Sequence, residues 1–242
     1  MNSKSSILIS QVWLTEPRAI FKDMLEVSVE YCRLLNPDSY IILSGMGDSP
    51  TTKTLDMCDS VCWEDEITEA AGNGFPKMIT RGLNCAKEEG FNKVFKFRGD
   101  AIILQENVCD VCNDVLKEEN KELLITQETT RNDHWIGDMV LHGDVDFLLK
   151  IFNTDTWIYN CSGNYALGQN FIQTTGYNFI TDWTEFLRGM CSFRDIPFFK
   201  WLDIRENHEQ LTLFKTNLEY LRENKKLDPE FDYPKYFWGE KQ

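Results

Sequence analysis

The first hundred residues alternate short apolar runs with stretches of helical apolar spacing, and this alternation leaves few folds open to the chain. Residues 7–12 are strand-like. Over 17–35 the apolar positions recur at helical spacing through Ile20, Met24, Val27 and Tyr31, and a second apolar run covers 40–43 and stops at Ser44-Gly45. These three segments predict a β-α-β unit. A third, weaker strand is expected over 60–63, leading into Glu64-Asp65-Glu66. After Gly72-Asn73-Gly74 a helix is expected over 77–89, with Met78, Leu83 and Ala86 facing inward and Gly90 stopping it. The run VFKFRGDAIIL over 94–104 then sets two apolar arms around a polar centre.

Strands alternating with helices imply an α/β fold: a mostly parallel sheet flanked by helices, whose ligand crevice lies at the carboxyl ends of the strands. The polar residues that end strands are therefore the first candidates for chemistry. They are Gln11, Ser44, Glu64, Asp65 and Asp100. The second half is less regular. Helices are expected over 108–119, 145–152, 182–190 and 203–224, and strands over 123–126 and 139–141, while the tail DPEFDYPKYFWGEKQ reads as an extended strap on the body. No repeat or low-complexity linker divides the chain, so a single domain over 1–242 is expected.

Composition narrows the partners. A chain of 242 residues that is 42% hydrophobic can bury one large core. No apolar run approaches the roughly 18 residues that a membrane helix needs, so no transmembrane segment is expected. A net charge of −14 repels polyanions, which argues against nucleic acid. A single nucleoside diphosphate is different, because a divalent cation, backbone amides and one or two arginines can hold it locally. The apolar run near the N-terminus is too short for a secretory leader, and eight cysteines then read as reduced thiols, giving an expected cytoplasmic location.

The segment GNGFPKMITRGLNCAKEEGFNKVFKFRGDAIIL carries the most information, with Arg81 on its helix and Lys96-Phe97-Arg98-Gly99-Asp100 closing its strand. Together with Gln11 on the first strand, and with HWIGDMVLHGDVDFLLKIF downstream, it resembles the WavE-type glycosyltransferases of lipopolysaccharide and capsule synthesis. The resemblance covers residues 7–152. It implies a GT-A-like, Rossmann-like domain with a nucleotide-sugar-binding half at 1–107. The other half, 108–242, would be a smaller, helical or irregular acceptor-side region. It implies transfer of a sugar from a nucleoside-diphosphate sugar to a hydroxyl of a glycan acceptor.

Charge grows on the departing diphosphate as the glycosidic bond breaks, so a metal ion or cationic side chains must stand beside it. At the place where GT-A enzymes carry Asp-x-Asp, this chain has Arg98-Gly99-Asp100. Asp100 is the expected ligand of Mn²⁺ or Mg²⁺, while Arg98, a cation where the usual pattern has a carboxylate, is able to neutralise phosphate itself. Arg81 is expected to contact the diphosphate or donor sugar; Gln11 and Asp65, with Glu64, are candidates for the base or ribose. Asp138, just before an apolar strand, is expected to act as general base if the reaction inverts configuration, and as a donor-sugar ligand if it retains. Asp182 and Glu185 are further candidate bases. For the neighbouring His134 and His142 a metal role is not favoured, and Cys58, Cys62, Cys109 and Cys112 read as buried thiols rather than a zinc site.

Two rivals follow from the same pattern. A sugar nucleotidyltransferase uses a similar sheet and a metal-binding aspartate, but it needs a glycine-rich basic loop after the first strand, where this chain reads QVWLTEPRAIF. A catalytically silent carbohydrate-binding or assembly protein would keep the fold and lose turnover.

Overall fold

A computed structural model describes residues 4–14, 19–65, 74–125, 134, 136–159, 161, 163–177, 182–194, 196–200 and 207–233. The chain runs through β1 (Ser5–Leu14), α1 (Ala19–Leu35), β2 (Tyr40–Gly47), α2 (Thr52–Asp56), β3 (Ser60–Glu64), α3 (Gly74–Glu88) and β4 (Lys93–Arg98). Then come β5 (Ala101–Ile103), α4 (Val108–Glu119), β6 (Leu123–Ile125), β7 (Val140–Asp144), α5 (Val145–Ile151) and α6 (Gly163–Thr175). Next are α7 (Trp183–Met190), β8 (Cys191–Phe193), β9 (Phe198–Lys200) and α8 (Asn207–Asn224).

Among the described residues, seven strands form one sheet in the order β3-β2-β1-β4-β7-β6-β8, and β5 pairs with β9 in a separate two-stranded sheet. Every strand of the large sheet points the same way except β7, which is antiparallel to both β4 and β6. The expected α/β fold with a mostly parallel sheet is therefore what forms.

The sheet is apolar on both faces, as a parallel sheet covered on both sides must be. Leu8, Ile42 and Val94 face a core built with Ile79, Leu83 and Ala86 of α3 and Leu148 and Ile151 of α5. Ile7, Ile9, Ile41, Leu43, Phe95 and Phe97 face a second core with Leu25 and Val29 of α1 and Val108, Cys112 and Val115 of α4. The alternation along each strand sorts the side chains between these layers. α3 lies so close to the sheet that a Cβ on Gly82 would sit 2.3 Å from Leu8 Cδ1 and 3.2 Å from Ser44 Cβ. Gly90, at φ +80°, ends that helical segment as expected.

The structure differs from the sequence reading in several places. The run over 94–104 is two strands, because the chain turns at Gly99-Asp100 and β5 leaves the main sheet for β9. The second half is more regular than expected. It contains α6, whose buried Ala166, Leu167 and Phe171 are joined on the inside by the buried Asn170, so its apolar stripe is weak. The strands β8 and β9 have three residues each, too few to display a period. Of the tail, Tyr233 and Phe231 pack with α1 and α8, and 234–242 lies outside the described residues.

Candidate functional site

The chain moves outward from β1 through β2 to β3, then returns across the sheet to place β4 on the other side of β1. The carboxyl ends of β1 and β4 therefore flank a topological switch point, where open α/β sheets form their ligand crevice. Two local features open the backbone there. The pairing of β1 with β2 shifts register between Ile9 and Val12, bulging the strand at Ser10 and Gln11. Beside it, the Gly99 amide donates to the Ser10 carbonyl at 2.9 Å as β4 ends.

Four charged side chains meet at the end of β4. Lys96 and Arg98, two residues apart on one strand, lie on the same face of the sheet. Arg98 grips Asp100 with two parallel bonds, Nε to Oδ1 at 3.0 Å and Nη2 to Oδ2 at 2.7 Å. Its third nitrogen, Nη1, lies 3.7 Å from Asp138 Oδ1. Asp138 is brought there from far along the chain by the segment that leads into β7. The Arg98 amide bonds the Met139 carbonyl at 3.2 Å, and the Ile136 amide bonds Asn164 on α6 at 3.1 Å. Lys96 Nζ donates to the Asp138 carbonyl from beneath. The Arg98 and Asp100 side chains are each 29% exposed and Asp138 only 8%, so the site offers the solvent a guanidinium-carboxylate face with a second carboxylate behind it.

The environments of the two bases differ. Complete burial pulls the Lys96 ammonium down to about 7, against the opposing field of Asp138. Burial also works against the charge of Arg98, but Asp100 and Asp138 outweigh it and hold that guanidinium above its ordinary value. Arg98 is thus a fixed cation.

Of the sequence candidates, Arg98, Asp100 and Asp138 come together. Gln11 lies in the bulge of β1 beside them, and its side chain is outside the described residues. Arg81 is not in this group: its guanidinium pairs with Glu64 at the end of β3, and β1 and β2 lie between that strand and β4. Arg81 Nη1 is buried without a hydrogen-bond partner, and Asp65 is exposed one residue past β3. Asp182 caps α7 by accepting the Glu185 amide at 3.1 Å, which accounts for its carboxylate locally. His134 packs against Trp183 and Tyr177, at ring separations of 5.1 and 5.8 Å. His142 is fully buried toward α4, with Nε2 2.9 Å from Asn113 Oδ1, and burial holds its pKa at about 3. It stands on the sheet face away from Lys96. The residue whose role sequence reasoning missed is Lys96. Its signal was a lysine set between Phe95 and Phe97 midway along a buried strand.

The donor set does not fit Mn²⁺ or Mg²⁺ as it stands. Both oxygens of Asp100 are engaged by Arg98, the guanidinium stands between Asp100 and Asp138 where an ion shared by the two would sit, and among the described residues no three Asp, Glu, His or Cys side chains gather to hold an ion by themselves. Among the described residues Cys58, Cys62, Cys109 and Cys112 form no zinc-like cluster; Cys109 and Cys112 are buried in α4 as expected, whereas Cys58 and Cys62 are only half-buried.

No protein-family model and no curated protein sequence matches the chain. Solved structures do. A glycosyltransferase involved in the glycosylation of the major capsid of PBCV-1 superposes with a TM-score of 0.51 over 86% of this chain and 98% of its own, at 11% identity. At that identity the likeness establishes the fold, a GT-A-like one, and nothing finer. A cytidylyltransferase from Leptospira borgpetersenii serovar Hardjo-bovis (strain JB197) gives 0.47 over 93% of this chain and 99% of its own, at 14% identity, and adds no weight. Among the described residues no helix is long and apolar enough to cross a membrane.

Proposed function

We propose that the protein is a nucleotide-sugar-dependent glycosyltransferase, moving a sugar from a nucleoside-diphosphate donor to a hydroxyl of a glycan acceptor in the cytoplasm. The observation that carries the reading is the convergence of Arg98, Asp100 and Asp138 at the switch point between β1 and β4. The WavE-like motifs supply the finer expectation of a role in surface polysaccharide synthesis.

In the reaction, the bond from the anomeric carbon to the diphosphate oxygen breaks, and the electron pair leaves with the diphosphate. The Arg98 guanidinium, preorganised by Asp100, takes that growing charge. The acceptor oxygen forms the new bond to the anomeric carbon while its proton passes to Asp138, if configuration is inverted. Gln11 in the bulge and Asp65 and Arg81 toward β3 are assigned to the nucleoside and donor, since they lie along the same carboxyl edge of the sheet.

Thermal melts with UDP, GDP, CDP and dTDP test the reading, because a ligand that binds only the native state raises Tm. One nucleotide is expected to do so, and its sugar conjugates to be hydrolysed slowly without acceptor. The nucleotidyltransferase rival instead releases pyrophosphate from a nucleoside triphosphate and a sugar phosphate. Absence of any nucleotide effect would refute a donor site.

A further inference from the structure

We infer that Arg98 is the resident cation of this site and that Asp100 is its positioning residue, so that sugar transfer proceeds without a divalent metal ion. The inference rests on the transferase reading and reassigns Asp100 within it.

The geometry of the fork is the first reason. A guanidinium has five N–H donors in one plane. Asp100 takes Nε and one hydrogen of Nη2, at 3.0 and 2.7 Å, which fixes the plane and turns Nη1 away from Asp100. Nη1 then stands 3.7 Å from Asp138, so the guanidinium bridges the two carboxylates. A divalent ion held by both would have to occupy that same space. Two carboxylates with a metal between them and two carboxylates with a guanidinium between them are alternative ways to build one cationic centre. This chain has built the second.

The second reason is the ligand count. Magnesium and manganese favour about six oxygens in near-octahedral order. The protein's share of these is usually one or two carboxylates beside phosphate and water oxygens, but both Asp100 oxygens already accept from Arg98, so a metal could share that carboxylate only directly beside the guanidinium charge. The third is electrostatic. Arg98 and Lys96 offset the charge of Asp100 and Asp138, so the two carboxylates are not an uncompensated anionic site that would draw a doubly charged cation. The oxygens of a diphosphate can bond Nη1 without displacing Asp100, and a planar fork suits phosphate oxygens better than a point charge does.

The test is calorimetry on the full chain, first with Mn²⁺ alone and then with the nucleoside diphosphate selected by the thermal screen, in EDTA and in Mn²⁺. We expect no saturable heat from Mn²⁺ alone and the same nucleotide affinity in both media. Arg98→Lys keeps the charge but loses the fork, and is expected to weaken nucleotide binding by a factor of about 10 to 100. Asp100→Asn keeps an acceptor for the guanidinium and is expected to cost less than Arg98→Lys. Stoichiometric Mn²⁺ binding that Asp100→Asn removes, or nucleotide binding that EDTA abolishes, would overturn the inference and leave the transferase reading standing. Failure of every nucleotide to bind in either medium would overturn both. The EDTA comparison needs no variant, so a misfolded mutant does not blunt the test.

Discussion

Lys96→Met is expected to make the protein more stable and less active. The wild-type side chain is fully buried, with Nζ 6.0 Å from the ring centres of Phe75 and Phe152, and it donates to the Asp138 carbonyl. Burial brings its pKa from the ordinary 10.5 to about 7. Because the folded value is the lower one, the unfolded chain binds more protons between these two limits, and wild-type stability rises with pH across that window. At and below neutral pH the full difference opposes folding, and at ~1.4 kcal/mol per pH unit it comes to an upper figure of about 5 kcal/mol. Removing the ammonium also takes that bond from the Asp138 carbonyl, which costs about 1–3 kcal/mol. Methionine fills much the same unbranched volume, so little is lost in packing. The net is a gain of about 2 kcal/mol near neutral pH, a Tm rise of roughly 4–8 °C for a chain of this size. Urea denaturation followed by circular dichroism, from about pH 6 to about pH 10, would show the gap closing as the pH rises. A variant no more stable than wild type at the acid end, or a gap that ignores pH, would refute the reasoning. Activity is expected to fall because the segment carrying Asp138 loses its anchor.

Three further outcomes are expected. Asp138→Asn is expected to cut the rate of sugar transfer by roughly 10² to 10⁴ with donor affinity unchanged, read by single-turnover kinetics and calorimetry; lost donor affinity with turnover per complex intact would make Asp138 a donor-sugar ligand. Glu30 accepts from Arg222 at 2.6 Å and Lys53 at 2.8 Å, joining α1 to α8 and α2. Burial raises its pKa, but those two cations outweigh it and leave the carboxyl below its ordinary value of 4.5, so its contribution is present at neutral pH and lost as the pH falls through the folded value. Glu30→Gln is therefore expected to cost about 1–2 kcal/mol in a neutral urea melt, the lower end being set by the half-exposed cations, and progressively less as the pH falls below the ordinary 4.5. A cost that does not fall with pH would sink that account. Gly82→Val forces methyl groups into the contact of α3 with Leu8 and Ser44 and is expected to cost about 1–3 kcal/mol in thermal denaturation. A melt at or above wild type would show that the helix yields.

The sequence by itself determined the alternating core of the fold and half of the candidate site. β1, β2, β3 and β4 with α1 and α3 were legible because a parallel sheet buried on both faces needs continuous apolar runs, and its crossover helices need a stripe. Arg98 and Asp100 were legible as donor-site candidates because they close an apolar strand, but that they grip each other is a finding of the structure. Tertiary structure decided the rest. Asp138 reaches Arg98 only because β7 enters the sheet antiparallel between β4 and β6, and nothing in the HWIGDMVLHGD segment declares which strand it will join. Arg81 was legible as a cation on a helix face, but its pairing with Glu64 came only once α3 packed on β3. The departure of β5 to β9 and the helix α6 were hidden, since three-residue strands and a helix buried around Asn170 leave no clear period. Lys96 shows the divide most plainly: its place in the pattern was visible, but its burial depends on Phe75 and Phe152 closing over it, and those contacts exist only once distant segments pack together.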